Sequence, residues 1–340
     1  MTLGFVVQAQ GQSLSPLVDA ARVVGAGLHV VIDEVKAIPE FQALGAQIIY
    51  RRSDDDHAHE NFDPVQFVER MHADAPAGAL LHLGNEPGRQ SLNQLNEWTL
   101  PALKTCDRLG RKGVCFNFAT GEPEPGEWTK LRDAVAHAYG KGHIIGLHEY
   151  FDGTIARSAP WHVGRFKNVY SAFGAQSPQV AITELGCAIG YNPYAGWATY
   201  HTQVSYGTEL VTAARQFYAP YGVRATVFLL GYWDRTPTFD VRGQTEIFEM
   251  MAAMNHVTEG GEMAGLPGWT QATTKAPGVA VNVRDKPSIT GLVLATVRTG
   301  DWVKRLGTPV LNGGHRWQNV VLNEPGKCTH GWVSLNVIDL

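Results

Sequence analysis

Eight times between residues 4 and 233 the chain runs through a short apolar, β-branched segment and then through a stretch with helical spacing. The segments cover 4–10, 29–35, 46–52, 79–85, 113–119, 143–151, 179–185 and 223–233, each bounded by turn residues, and they predict parallel strands. A parallel neighbour is reached only through a crossover long enough to hold a helix, so this alternation leaves few architectures. Eight β/α units in about 250 residues match a (β/α)8 barrel in count and length. An open doubly wound sheet uses fewer strands and a glycine-rich first turn, which AQGQS (9–13) does not supply.

Helix starts are marked by Ser15 before Pro16 and by Asp63 before Pro64. Each pairs an N-cap oxygen with a proline whose missing N–H costs nothing at the first helical position. After the fourth segment, Leu92, Leu95, Thr99, Leu103, Cys106 and Leu109 follow a three-to-four spacing that Gly110 is placed to end. Pro101 predicts a kink there. Past Val257 the pattern stops. Residues 258–278 read as a Gly/Thr/Pro-rich linker, and residues 279–340 hold short strand-like runs separated by turns, which predict a small all-β barrel. The expected division is a catalytic domain over 1–257, a linker over 258–278 and a second domain over 279–340.

Composition narrows the function classes. A formal net charge of -4 leaves no basic excess to attract phosphate, so nucleic acid is not an expected partner. No apolar run is long enough to span a membrane. Cys106, Cys115, Cys187 and Cys328 form no C-x-x-C pair, which argues against a disulfide framework or a zinc site. The first residues show no basic n-region, apolar h-region or cleavage site.

In a (β/α)8 barrel the reacting groups sit at the carboxyl ends of the strands. The tetrapeptide NEPG occurs twice, at 85–88 and 323–326. The first copy ends the fourth strand and puts Glu86 on the catalytic rim; the second follows a strand of the small domain, so Glu324 reads as an exposed turn residue. The seventh strand, VAITELG, ends with Glu184 in the place equivalent to Glu86. Two rim carboxyls can divide the labour of glycoside hydrolysis, one donating a proton to a leaving oxygen and the other attacking the anomeric carbon. On the sixth strand, GLHEYF, His148 and Tyr150 share one face, and Trp233 at the end of the eighth offers an aromatic platform for a sugar ring.

Taken in order, Asn85-Glu86-Pro87, His148-x-Tyr150, Glu184 and Trp233 resemble the clan A glycoside hydrolases, with family 5 the nearest pattern, over residues 1 to about 257. The resemblance implies Glu86 as general acid/base, Glu184 as nucleophile, Asn85 as a donor to the sugar 2-hydroxyl and Tyr150 as a partner of the nucleophile. The family pattern also carries an arginine near the second strand and a histidine near the third. Here Arg51 or Arg52, and His57 or His59, stand in their place, while Asp54, Asp55 and Asp56 read as a solvated loop. The run from VAVNVR to the late HGWVSLNVI resembles a bacterial SH3-type domain, which implies attachment to cell-wall material.

The expected function is therefore a retaining β-glycosidase acting on a polysaccharide, such as a bacterial cell-wall glycan, with no metal or organic cofactor. Its expected place of action is extracellular or cell-wall material, although no signal peptide is legible. The competing expectation is a non-catalytic carbohydrate- or cell-wall-binding protein on a glycosidase-like barrel.

Overall fold

The structure is a computed structural model. It describes the chain apart from residues 1–2, 9–12, 14, 26, 189–194, 232–236, 257–268, 277–279, 300–301 and 325–326. Strands β1 (Leu3–Gln8), β2 (Leu28–Ile32), β3 (Gln47–Arg51), β4 (Leu80–Leu83), β5 (Gly113–Phe118), β6 (Ile144–Phe151), β7 (Gln179–Cys187) and β8 (Arg224–Gly231) follow one another around a closed barrel. Neighbours pair in parallel, and β8 returns to β1. Helices α1 (Ser15–Val24), α2 (Ile38–Ala43), α3 (Ala58–Asn61), α4 (Pro64–Asp74), α5 (Leu92–Arg108), α6 (Arg132–Lys141), α7 (Ile155–Ser158), α8 (Lys167–Phe173), α9 (Gln203–Thr212) and α10 (Thr245–His256) fill the crossovers. The architecture expected from the alternation is the one observed.

Local chemistry sets the helix ends. The Asp63 carboxylate accepts the N–H groups of Val65 and Gln66, satisfying two donors that the first turn of α4 cannot use itself. Gly110, at φ +66°, takes the left-handed conformation just past α5. That helix runs unbroken through Pro101.

Side-chain alternation divides the apolar residues into two layers. Val6, Val30, Ile49, Leu80, Val114 and Ile144 fill the barrel interior. Phe5, Val31, Tyr50, Leu81, Cys115 and Ile145, one residue along each strand, pack outward against the helices. With the interior plugged, a substrate can meet the barrel only at its rim.

The C-terminal region is antiparallel. Strands β9 (Trp269–Gln271), β10 (Thr273–Thr274), β11 (Val281–Arg284), β12 (Val293–Val297), β13 (Trp302–Asn312), β14 (His315–Glu324), β15 (Lys327–Ser334) and β16 (Ile338–Asp339) form a sheet of order β12-β11-β15-β14-β13-β9 and a pair β10-β16. Its core, including Val281, Val283, Val297, Val303, Val320 and Val333, is separate from the two barrel layers. The sheet draws on the stretch assigned to the linker, since β9 pairs with β13 and β10 with β16. Strand β15 lies against α9.

Candidate active site

The carboxyl end of β7 is where simple alternation fails. Ala181 faces the interior and Ile182 the helices, so an even strand would aim Glu184 outward. A register shift places His148 opposite Glu184 after Leu147 has paired with Ile182, leaving Thr183 as the extra residue. Beyond this bulge Leu185 and Cys187 occupy the outer layer, and Glu184 turns to the inner face, where it is 6% exposed. Bulges at barrel rims re-aim side chains in this way.

Two donors take the two oxygens of Glu184. Arg51, the last residue of β3, donates from Nη1 to Oε1 at 2.7 Å. Tyr150 donates from its hydroxyl to Oε2 at 2.6 Å. Gly186 makes the second contact possible: a Cβ there would stand 2.7 Å from Cε1 of the Tyr150 ring.

Glu86 arrives by a different route. Gly84 at φ +81° and Glu86 at φ 42° both lie in the left-handed region, a conformation that costs a non-glycine residue free energy and clusters at functional sites. Asn117 holds the turn, its carbonyl accepting the Glu86 N–H at 3.1 Å and its Nδ2 donating to the Gly84 carbonyl at 2.9 Å. The Glu86 side chain is 47% exposed, so the two carboxyls occupy unlike surroundings.

His148 joins them. Its Nδ1 donates to Glu86 Oε1 at 2.9 Å and lies 3.5 Å from Glu184 Oε2. Burial works against an imidazolium here, but Glu184 and Glu86 outweigh it and raise the His148 pKa. For Glu86 burial pushes the pKa up, yet the His148 hydrogen bond and charge, with Arg51 and His57, leave it lowered. For Arg51 burial also opposes the charged form, and Asp55, Glu184 and Asp56 together overrule it. Burial is the largest influence on the Tyr150 hydroxyl, followed by Glu184, and both raise it well above its usual value.

The structure thus brings together Glu86, Glu184, His148, Tyr150 and Arg51. Asn85 adjoins them, 5% exposed, donating from Nδ2 to Asp56 Oδ1 at 2.8 Å. Of the alternatives in sequence, Arg51 and not Arg52 reaches Glu184, because Arg52 pairs with Asp54 and Asp74. His59 is tied to Ser91 Oγ at 2.7 Å, whereas His57 is close enough to act on the Glu86 charge. Trp233 lies outside the described residues.

The acidic run 54–56 is not the solvated loop expected of it. Asp54 is exposed, as a solvated loop requires, but Asp55 is fully buried and Asp56 bridges to Asn85 as a continuation of the β3–β4 pairing. The run is part of the site. His82, buried on the interior face of β4, was the available signal, because its ring must find a polar partner. That partner is Asp55 Oδ2, 2.7 Å from His82 Nδ1.

Among the described residues, two groups could hold a cation by proximity. Ligand atoms of Glu86, His148 and Glu184 lie within 4.8 Å of one another, as do those of Asp107, His137 and His143. In the second group His143 Nδ1 accepts the Gly113 N–H at 3.0 Å. Its neutral ring therefore carries the proton on Nε2, the atom facing Asp107 Oδ1 at 3.3 Å. That proton blocks ligation.

Solved structures of similar fold include two named glycoside-cleaving enzymes. The structure is similar to that of a GH128 (subgroup I) endo-β-1,3-glucanase from Amycolatopsis mediterranei solved with laminaritriose. The TM-score is 0.50 at 18% identity, over 75% of this chain and 100% of that one. It is also similar to a glucosidase from Croceicoccus marinus, with a TM-score of 0.53 at 11% identity over 98% of this chain and 79% of that one. Identities this low establish a shared fold. No protein-family model and no curated protein matches the sequence.

Proposed function

We propose that this chain is a glycoside hydrolase, a retaining β-glycosidase acting on a polysaccharide. The observation that carries the reading is the pair of rim carboxyls, Glu86 and Glu184, with oxygens within 4.8 Å of each other about one imidazole. Retaining enzymes hold their carboxyl groups about 5–5.5 Å apart, whereas inverting ones need about 6.5–9.5 Å to admit a water; a single His148 Nδ1 in reach of both carboxyls favours the closer arrangement. The fold supports the same class, since the GH128 neighbour is an endo-β-1,3-glucanase and the other a glucosidase. A β-glucan is accordingly the first substrate to try, with bacterial cell-wall glycan the second.

In the proposed reaction Glu184, held by Arg51 and Tyr150, attacks the anomeric carbon. Glu86 protonates the departing oxygen and then takes a proton from the water that releases the sugar. The lowered Glu86 pKa fits the free site, where the shared proton rests on His148 Nδ1. A sugar seated on the half-exposed Glu86 removes water from it and so favours its neutral form, with the His148 proton 2.9 Å away as the source. Once Glu184 is glycosylated it loses its charge, which weakens the hold of His148 on its own proton. The C-terminal sheet fits a targeting module for insoluble glycan.

The test is hydrolysis by wild type and Glu184→Ala of aryl β-glycosides, laminarin-type and other β-glucans, and sedimentable cell walls. The reading expects turnover that falls at least about 10^4-fold in the variant, the scale seen when a covalent nucleophile is removed. A well-folded wild type that binds glycans without cleaving any of them would favour the carbohydrate-binding alternative.

A further inference from the structure

Asp55 faces no cleft, yet the site converges on it. It is fully buried, and its carboxylate is held from two sides: Oδ1 accepts from Arg51 Nε at 3.2 Å and Oδ2 from His82 Nδ1 at 2.7 Å. Its carbonyl accepts the Asn85 N–H at 3.0 Å, one residue before Glu86. Gathering a carboxylate, an imidazole and a guanidinium away from water costs desolvation, and apolar side chains of similar volume often stabilise a fold as well or better. Packing alone therefore does not account for the arrangement.

The guanidinium shows what the arrangement does. Its planar fork presents Nε to Asp55, Nη1 to Glu184 and Nη2 to Asp56 at 3.4 Å. Rotating Arg51 away from Glu184 would break the Asp55 contact on the opposite edge. His82 fixes Asp55 in turn. Burial lowers the pKa of its ring, so it stays neutral with the proton on Nδ1, while Nε2 is buried and makes no hydrogen bond.

We propose that Asp55 and His82 are positioning residues for the glycosidase reaction, locking Arg51 so that Glu184 stays aligned for attack, an assignment that rests on the function proposed above. Neither touches the sugar. Their chain of contacts runs from β4 through the β3 loop to β7, so a change at His82 is felt at a carboxylate on another strand.

The experiment compares wild type with Asp55→Asn, His82→Gln and His82→Leu on a soluble β-glucan. An amide offers one acceptor and one donor, so Asp55→Asn can serve both only if His82 turns its Nδ1 into an acceptor and carries its proton on the buried Nε2, and the charge that holds Arg51 is lost in either case. The substitution should lower kcat about 10–100-fold with KM within about twofold, the pattern of a lost transition-state contact. It also removes a negative charge from a neighbourhood where Arg51, Asp56, Glu86, His82, His148 and Tyr150 remain, which favours every ionised carboxylate nearby. The acid limb of kcat/KM should therefore move to lower pH. A folded Asp55→Asn whose limbs do not move would overturn the proposal.

The histidine variants decide the matter even if Asp55→Asn does not fold. Glutamine can still donate to Asp55 and should keep kcat within about threefold of wild type, whereas leucine cannot and should lose about tenfold. A packing role predicts the reverse, because a buried leucine is tolerated better than a buried glutamine. Leucine equal to or better than glutamine would sink the idea. A wild type inactive on every glycan would show before any variant is compared, and would remove the proposed function together with this assignment.

Discussion

The tetrapeptide Asn-Glu-Pro-Gly stands in two places, and the contrast shows how little a motif says without its strand. At Asn85–Gly88 it follows a parallel strand of the barrel, and Asn117 folds its backbone into a left-handed turn that presents Glu86 to His148. In the second copy Asn323 and Glu324 end β14, where Glu324 pairs across the sheet with Lys327 of β15. The first glutamate is surrounded by titrating groups from β3, β6 and β7; the second belongs to a ladder of backbone hydrogen bonds. The exposure of the Glu324 side chain lies outside the described residues.

A third glutamate extends the contrast to one strand. Glu149 sits between His148 and Tyr150 but points to the outer face of β6, where it is fully buried. It accepts the N–H groups of Gly164 and Phe166 and the hydroxyl of Tyr218. Burial is the main cause that pushes its pKa up to about 7. One residue of strand separates His148, whose imidazole reaches both rim carboxyls, from a carboxyl that ties a loop to the barrel wall.

The sharpest way to break the first contrast is substitution of each motif glutamate. Glu86→Gln should slow hydrolysis of substrates with poor leaving groups at least about a hundredfold, because only this copy supplies the proton. Glu324→Gln should leave the rate unchanged in the same assay. Equal losses would mean that the two copies do related work.

The Glu149 contrast predicts a smaller effect, on stability. A carboxyl whose folded pKa stands above its usual 4.5 binds a proton in the native state that the unfolded chain releases. Its contribution is therefore fully present below about pH 4.5 and is lost as the pH rises towards 7, an upper limit of about 3 kcal/mol at 1.36 kcal/mol per pH unit. Thermal melts should show wild type losing more stability than Glu149→Gln between pH 4.5 and 7.5. Parallel losses would show that Glu149 does not titrate in that range.

Most of the barrel was legible because parallel strands, buried on both faces, write themselves as short apolar runs with helices between. That Arg51 or Arg52 stands at the end of β3, and that His148 and Tyr150 share one face of β6, followed from strand ends and alternation, while the choice of Arg51 did not. What sequence concealed were departures from regularity. The bulge at Thr183 reverses the face on which Glu184 lies, and no residue type there announces it. Asp55 reads as solvated because it stands in a run of three acids; its contacts with Arg51 and His82, which the fold brings together, draw it inside.

The central claim, a covalent nucleophile at Glu184 with Glu86 beside it, is tested most directly by trapping. Incubation with 2,4-dinitrophenyl 2-deoxy-2-fluoro-β-glycosides of the gluco and manno series should yield a stable adduct, since the fluorine slows release of the glycosyl-enzyme more than the activated leaving group slows its formation. Peptide mass spectrometry is predicted to place one fluorosugar on Glu184, with Glu86→Gln still labelled because this leaving group needs no proton. A label on a different carboxylate, or no adduct together with products of inverted anomeric configuration, would contradict the account.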